Sequence, residues 1–329
     1  MKFSLILPVY NVENYLSKCI KSCLCQDIPY DDYEIIVVID GSPDNSLEIA
    51  QRYAKDYANI KIIERENGGL SAARNSGLKI AKGEYIWFID SDDFIETNIL
   101  SQMYETLSVD QLDCLWVKWK QMNEKNVILR QYTPYIKKQV FQIMSGLDFM
   151  SSVLSNHLYA WSFIYNRSFL CKNNLTFTEG MFYEDTDFAL RALPLVNRIK
   201  LYDKVCYSYL FREGSITHVI SSKKLNDILQ NVNNEYSRSI NEKNKALKDF
   251  YTLGYSCFVL LALKEVAKSE NKNLEEILLK NLALIAKVKV LGNSLTKLLC
   301  VIYNIFGAHV SYRLAKQIYR HLYERRSRN

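Results

Sequence analysis

The sequence predicts an α/β fold: a parallel sheet with helices on both faces, followed by a helical region. Three observations lead there. Short apolar runs alternate with helical stretches from Phe3 to Phe88. The runs are almost continuous in Val, Ile and Leu, as strands buried on both faces require. Beyond about Val219 the apolar spacing changes to three and four residues, the period of helices.

The first strand is Phe3 to Pro8, ended by Pro8-Val9-Tyr10-Asn11. Asn14 is the expected cap of a helix from about Tyr15 to Cys25. Glu34 to Asp40 forms the second strand. Gly41-Ser42-Pro43-Asp44 then turns the chain, and Asp44 caps a helix reaching about Tyr57. Ile60 to Glu64 is a third strand. Gly68-Gly69 leads into a helix that starts at Leu70 and closes near Gly83. Tyr85 to Ile89 is the fourth strand, followed by a helix over Thr97 to Leu107, a strand around Leu115 to Met122 and a polar turn at Asn123 to Asn126. Strand–helix alternation of this kind gives a parallel sheet covered on both faces.

Ligands of such sheets bind outside the carboxyl ends of the strands. Asp40, Asp90 and Asp92 fall at those ends, as do the Gly41 and Gly68-Gly69 loops, which allow close approach. The fourth strand runs into Asp90-Ser91-Asp92-Asp93. Neighbouring carboxylates repel and resist desolvation, so the cluster calls for a cation or hydrogen-bond donors. A hard divalent metal shared with a phosphate meets that need. A solvated turn that caps the next helix meets it too. Arg74 reads either as a charge near a diphosphate or as a surface arginine.

Composition narrows the class. The 329 residues are 48% hydrophobic and 24% charged, which suits a folded chain with a substantial core and argues against disorder. No Gly-x-Gly-x-x-Gly follows the first strand and no Walker-A lysine is present, so dinucleotide and P-loop chemistry lose ground. The eight cysteines include no Cys-x-x-Cys pair, and Cys19, Cys23 and Cys25 form their single cluster. They read as buried free thiols of a reducing compartment. The apolar start at Met1 to Leu7 is too short for a signal peptide, and nowhere do eighteen apolar residues run together. The expected location is the cytoplasm.

The motifs Pro8-Val9-Tyr10-Asn11, Asp40-Gly41-Ser42, Asn67-Gly68-Gly69-Leu70-Ser71-Ala72-Ala73-Arg74-Asn75-Ser76-Gly77 and Asp90-Ser91-Asp92-Asp93 occur in that order. The set resembles the family 2 glycosyltransferases of the GT-A fold, inverting enzymes of bacterial polysaccharide and lipopolysaccharide synthesis. The resemblance resumes at Trp161 to Arg167, at Phe182 to Phe188 and at Tyr207 to His218. It departs at Phe163, where family members often carry lysine. It implies a glycosyltransferase domain over residues 1–218, with a nucleotide-sugar half 1–96 and an acceptor half 97–218. Residues 219–329 form a helical C-terminal region.

The resemblance also implies roles. Pro8, Tyr10, Asp40, Gly69, Arg74, Asp90, Ser91 and Arg212 would hold a nucleotide-diphosphate sugar, with uridine as the base. Asp92, joined by His218, would hold Mn²⁺ or Mg²⁺. Removing the acceptor's proton needs a positioned base, and the family's Glu-Asp motif places it at Asp185, with Glu184 beside it. Read without the family, Glu184, Asp185 and Asp187 are acidic residues suited to a helix N-terminus. Trp161 is expected in the core. A sugar nucleotidyltransferase and a catalytically silent nucleotide-sugar-binding scaffold remain as alternatives.

From Leu291 onward Leu295, Leu298, Leu299, Ile302, Phe306, Val310, Leu314, Ile318 and Leu322 recur at helical spacing, with breaks expected at Gly292 and Gly307. Arg313, Lys316, Arg320, Arg325, Arg326 and Arg328 accompany them. Such an end can lie on an anionic membrane, pack on the domain or form a homodimer contact. The expected partners are thus the sugar donor, a saccharide or lipid-linked acceptor and a membrane surface. No nucleic acid is expected, since no recognition fold accompanies the basic end.

Overall fold

A computed structural model describes residues 1–131, 141–152, 158–211, 220–269, 271–282 and 294–326. The chain divides into two compact units. The first comprises Met1–Val153, His157–Gly180 and Glu184–Glu213, the second Leu154–Asn156, Met181–Tyr183 and Gly214–Asn329.

The first unit is a mixed sheet with flanking helices. Strands β1 (Phe3–Val9), β2 (Tyr33–Asp40), β3 (Ile60–Arg65) and β4 (Tyr85–Phe88) lie parallel in the order β3-β2-β1-β4. Every residue of β1, β2 and β4 is buried, which is why their sequences run apolar without alternation. Helices α1 (Glu13–Leu24), α2 (Ser46–Asp56) and α3 (Leu70–Ile80) make the crossovers. Gly77 lets α3 approach the sheet, since a Cβ there would sit 2.4 Å from Ile6 Cγ2. Two expected caps differ. The backbone N–H of Glu13 donates to Asp44 across the β2–α2 loop at 2.7 Å, so α1 starts at Glu13 and takes no cap from Asn14. Asp44 stands one residue before the N-cap, Asn45, and accepts from Ser46 at 3.2 Å.

After the short β5 (Phe94–Ile95) and α4 (Leu100–Val109), the sheet changes direction. β6 (Cys114–Asn123), β7 (Ile128–Gln131), α5 (Gly146–Ser152), β8 (Phe163–Asn166), α6 (Arg167–Lys172), α7 (Glu184–Ala192) and β9 (Ile199–Phe211) complete the unit. β8 inserts antiparallel beside β4, and the order continues β8-β6-β9-β5, with β7 paired to β6. β6 and β9 run parallel with register shifts near Lys118. The carboxyl ends of β1, β2 and β4 therefore share one rim. Phe163, at the family's lysine position, faces the core 6.3 Å from Phe149. Trp161 is also core: it is 3% exposed, stacked on Tyr207 at 4.2 Å, with its carbonyl accepting from Trp87 Nε1 at 2.8 Å.

The second unit is helical: α8 (Ser222–Asn241), α9 (Lys245–Ser269), α10 (Lys272–Leu282) and α11 (Ser294–Arg326). α9 is long and apolar enough to cross a membrane by length and composition, although polar residues interrupt its apolar ones, and 72% of its most apolar stretch is buried in the protein. It is the core of its unit, with Phe258, Val259, Leu263 and Val266 inside. α11 breaks at Gly307, whose φ of 76° leaves the helical region as the sequence predicts. Gly292 lies outside the described residues. The described cysteines are all free thiols; Cys25 and Cys171 are exposed, and Cys19, Cys23, Cys114, Cys206, Cys257 and Cys300 are buried as expected.

Candidate active site

The end of β4 is fixed from three sides. The Ile89 N–H donates to Ile6 of β1 at 2.9 Å, and Asp93 N–H donates to the Asp90 carbonyl at 3.0 Å, closing the turn. Ser91 Oγ donates to the Pro8 carbonyl at 2.6 Å and ties that turn to β1. The Tyr207 hydroxyl accepts from the Asp90 N–H at 3.1 Å and donates to Asp93 at 2.7 Å, while Leu210 N–H donates to the other oxygen of Asp93 at 2.7 Å. Asp93 is 1% exposed. Burial, reinforced by Asp92 and Asp90, pushes its carboxyl well above the ordinary range, against the pull of these two donors. The sequence counted Asp93 in the cluster without a role, and nothing in it paired Asp93 with Tyr207, 114 residues away.

Asp40 ends β2 and is 2% exposed. Its two oxygens accept from the backbone N–H groups of Gly68 at 3.0 Å and Gly69 at 2.8 Å, and Arg65 pairs with it at 3.0 Å. Asp40 thus secures the loop that opens α3. Gly69 takes a φ of 86° there, a backbone that L side chains rarely adopt. Pro8 lies buried in β1, and Tyr10, just beyond it, is 48% exposed at the same rim.

Arg74 does not lie on the surface. It is 2% exposed, covered by the Phe177 ring at 5.1 Å. Nη1 donates to Glu184 at 2.7 Å and Nη2 to Asp90 at 2.8 Å, so one guanidinium spans α3, the end of β4 and the start of α7. Burial works against its charge, and Asp90 and Glu184 more than restore it, so Arg74 stays firmly protonated. The family resemblance set Arg74 and Asp90 among the residues that would hold the donor, and the structure joins the two to each other.

Glu184 and Asp185 open α7. Glu184 is anchored by Arg74. Asp185 accepts from the Thr186 N–H at 2.7 Å and is half-buried. Burial first, then the charge of Glu184, push its carboxyl up to about 7, with Arg74 opposing. A carboxyl titrating there is matched to taking a proton near neutral pH. Asp187 has the plainer use, pairing with Arg191 along the helix at 2.8 Å.

Arg212 and His218 lie outside the described residues. Among the described residues no group of three or more His, Cys, Asp or Glu side chains is arranged to hold a metal ion. The donor set at the β4 turn, Asp92 with Asp90 two residues before it, is hard carboxylate oxygen. It fits Mg²⁺ or Mn²⁺ bound through one or two carboxylates and completed by substrate phosphate.

The sequence profile of glycosyl transferase family 2 matches residues 4–171. The chain is 35% identical over 234 residues to the uncharacterized glycosyltransferase EpsJ of Bacillus subtilis, covering 69% of this chain and 66% of that one. It is 34% identical over 248 residues to the poly(ribitol-phosphate) beta-glucosyltransferase of Bacillus spizizenii, covering 69% and 38%. The chain thus spans less than two thirds of either relative. With EpsH of Bacillus subtilis it shares 31% identity over 307 residues, covering 89% of this chain and 86% of that one. The crystal structure of S. aureus TarS residues 1–349 in complex with UDP-GlcNAc superposes with a TM-score of 0.71 at 24% identity, over 98% of this chain and 92% of that one. This likeness shows the fold, the GT-A architecture that the motifs implied. The profile match over half of the sequence, with a relative followed along most of its length, makes this chain a member of glycosyl transferase family 2.

Proposed function

We propose that the protein is an inverting glycosyltransferase acting by single displacement. It moves a sugar from a nucleotide-diphosphate sugar, with UDP as the nucleotide, to a hydroxyl of a saccharide or lipid-linked acceptor in cell-surface polysaccharide synthesis. The observation that carries this is Asp185. A half-buried carboxyl shifted to about 7 stands in the first turn of α7, joined through Glu184 and Arg74 to the carboxylate rim of the sheet. The names of the relatives, a poly(ribitol-phosphate) beta-glucosyltransferase and TarS, support a polymer of the cell surface.

Asp185 takes the proton of the acceptor hydroxyl as its oxygen attacks the anomeric carbon. The bond from that carbon to the diphosphate oxygen breaks on the opposite face, its electron pair leaving with the nucleoside diphosphate. No covalent enzyme intermediate is needed, and the anomeric configuration inverts. Tyr10 and the Gly68-Gly69 loop, held by Asp40, receive the nucleoside. Asp92 would hold Mn²⁺ or Mg²⁺ against the diphosphate, where the ion would supply charge neutralisation for the leaving group.

The charge is divided along the chain. Residues 214–329 carry 19 Lys and Arg against 9 Asp and Glu, whereas residues 1–213 carry 23 against 27. Val301, Ile305 and Val310 of α11 are exposed, as is Arg313. These features support a peripheral contact of the second unit with an anionic inner membrane face, for a cytoplasmic enzyme meeting a lipid-linked acceptor.

The test is calorimetric titration of the protein with UDP, GDP and dTDP, each with and without Mn²⁺. Binding of UDP strengthened by Mn²⁺ is expected. Failure of all three nucleotides to bind would remove the donor site, and with it the enzyme reading.

A further inference from the structure

We infer that Arg74 is a positioning residue: its guanidinium is the strut that sets Glu184 and Asp185 against the carboxylate end of β4, and it does not bind the donor's phosphates. Its consequence for transfer rests on the glycosyltransferase reading above.

The first argument is occupancy. Nη1 and Nη2 are each committed to a different carboxylate, at 2.7 and 2.8 Å, contributed by residues 110 and 16 positions away in the chain. Nε is buried and has no acceptor among the described atoms. Phe177 covers the group, and the residue is 2% exposed. A phosphate could reach this guanidinium only by displacing a charge-assisted hydrogen bond inside a closed space.

The second argument is electrostatic. Asp90 and Glu184 converge on one point while Asp185 follows Glu184 directly, and like charges so placed drive elements apart unless a cation lies between them. Arg74 is that cation. The planar guanidinium directs two donors along fixed lines, so it sets distance and angle as well as charge, which a lysine ammonium does not.

The third argument is local geometry. Tyr183, immediately before Glu184, holds a φ of 64°, unfavourable for a bulky residue and sustained only when its surroundings fix it. Anchoring Glu184 fixes the turn of α7 that carries Asp185.

The experiment uses the full-length protein with Arg74→Lys, Arg74→Gln and Glu184→Gln. For Arg74→Lys and Glu184→Gln, kcat should fall at least 10-fold. The KM for the donor and the Kd for UDP with Mn²⁺ should stay within threefold of wild type. A Kd that rises by the same factor as kcat falls would make Arg74 a phosphate ligand and overturn the inference, as would an unchanged kcat. Titration of the Asp185 carboxyl, followed by NMR with ¹³C-labelled aspartate, requires no substrate. Its midpoint should lie at higher pH in Arg74→Gln than in wild type, and an identical midpoint would overturn the strut. If wild type binds no nucleoside diphosphate, the donor reading fails on its own and the titration still decides the role of Arg74. Should Arg74→Gln not fold, the same titration in Arg74→Lys must show a displaced midpoint.

Discussion

The Tyr207 hydroxyl lies between two parts of one turn, accepting from the Asp90 backbone at 3.1 Å and donating to the Asp93 carboxylate at 2.7 Å. A residue of β9 thereby holds the carboxylate turn at the end of β4. The buried Tyr207 ring is itself fixed by stacking on Trp161. Tyr207→Phe keeps the ring and takes the donor from one oxygen of Asp93, leaving the other on the Leu210 N–H. It should cost about 1–3 kcal/mol of stability, the usual consequence of an unsatisfied buried polar group. A denaturant melt checks the stability. Mn²⁺-dependent binding of UDP should weaken in parallel, because Asp92 sits in the same turn.

The proposed role of Asp185 predicts a pH dependence of the reaction. As a base it must be ionised, and with its carboxyl at about 7 the free enzyme's kcat/KM should climb with pH and level off above that value. The stability effect has the opposite sign. The folded state holds this proton more tightly than the unfolded chain, so stability falls as pH rises from about 4 to about 7. Each unit of difference is worth about 1.4 kcal/mol. Asp185→Asn removes the ionisation, so it should melt higher than wild type at pH 8 and close to it at pH 4.

Asp92→Ala should separate metal from nucleotide. UDP affinity in Mn²⁺ is expected to drop about tenfold or more, near 1.4 kcal/mol per decade, while metal-free UDP affinity changes little. Calorimetry with and without Mn²⁺ reads both, and equal losses in the two conditions would count against Asp92 as the metal ligand.

Asp40→Asn tests the glycine loop. The carboxylate accepts two backbone N–H groups and pairs with Arg65, so the amide should lose about 1.5–3 kcal/mol of stability, the range for hydrogen bonds to a charged group. Faster amide exchange at Gly68 and Gly69 would show that the loop had loosened.

Much of the first unit was legible because its signals are local. The apolar runs of β1, β2 and β4 announce strands buried on both faces, and the carboxylates that end β2 and β4 mark the rim. Other parts were hidden because their causes are not local. β9 reads poorly as a strand: Asp203-Lys204 interrupts its apolar residues where its pairing with β6 shifts register. β7 is exposed along its whole length and has no apolar face to betray it. Nothing in the sequence around Arg74 says that it is buried, since its partners lie 16 and 110 residues away. Asp93 and Tyr207 were hidden for the same reason. α9 shows no continuous apolar run because its buried surface includes Tyr255, Ser256 and Glu265.

The central claim is that Asp185 removes the acceptor's proton. The most direct measurement is single-turnover sugar transfer by Asp185→Asn at saturating donor, alongside its UDP affinity in Mn²⁺. The account predicts transfer reduced at least 10²-fold, the low end for loss of a general base, with UDP affinity within about twofold of wild type (under ~0.5 kcal/mol). Transfer at the wild-type rate with affinity intact would contradict it.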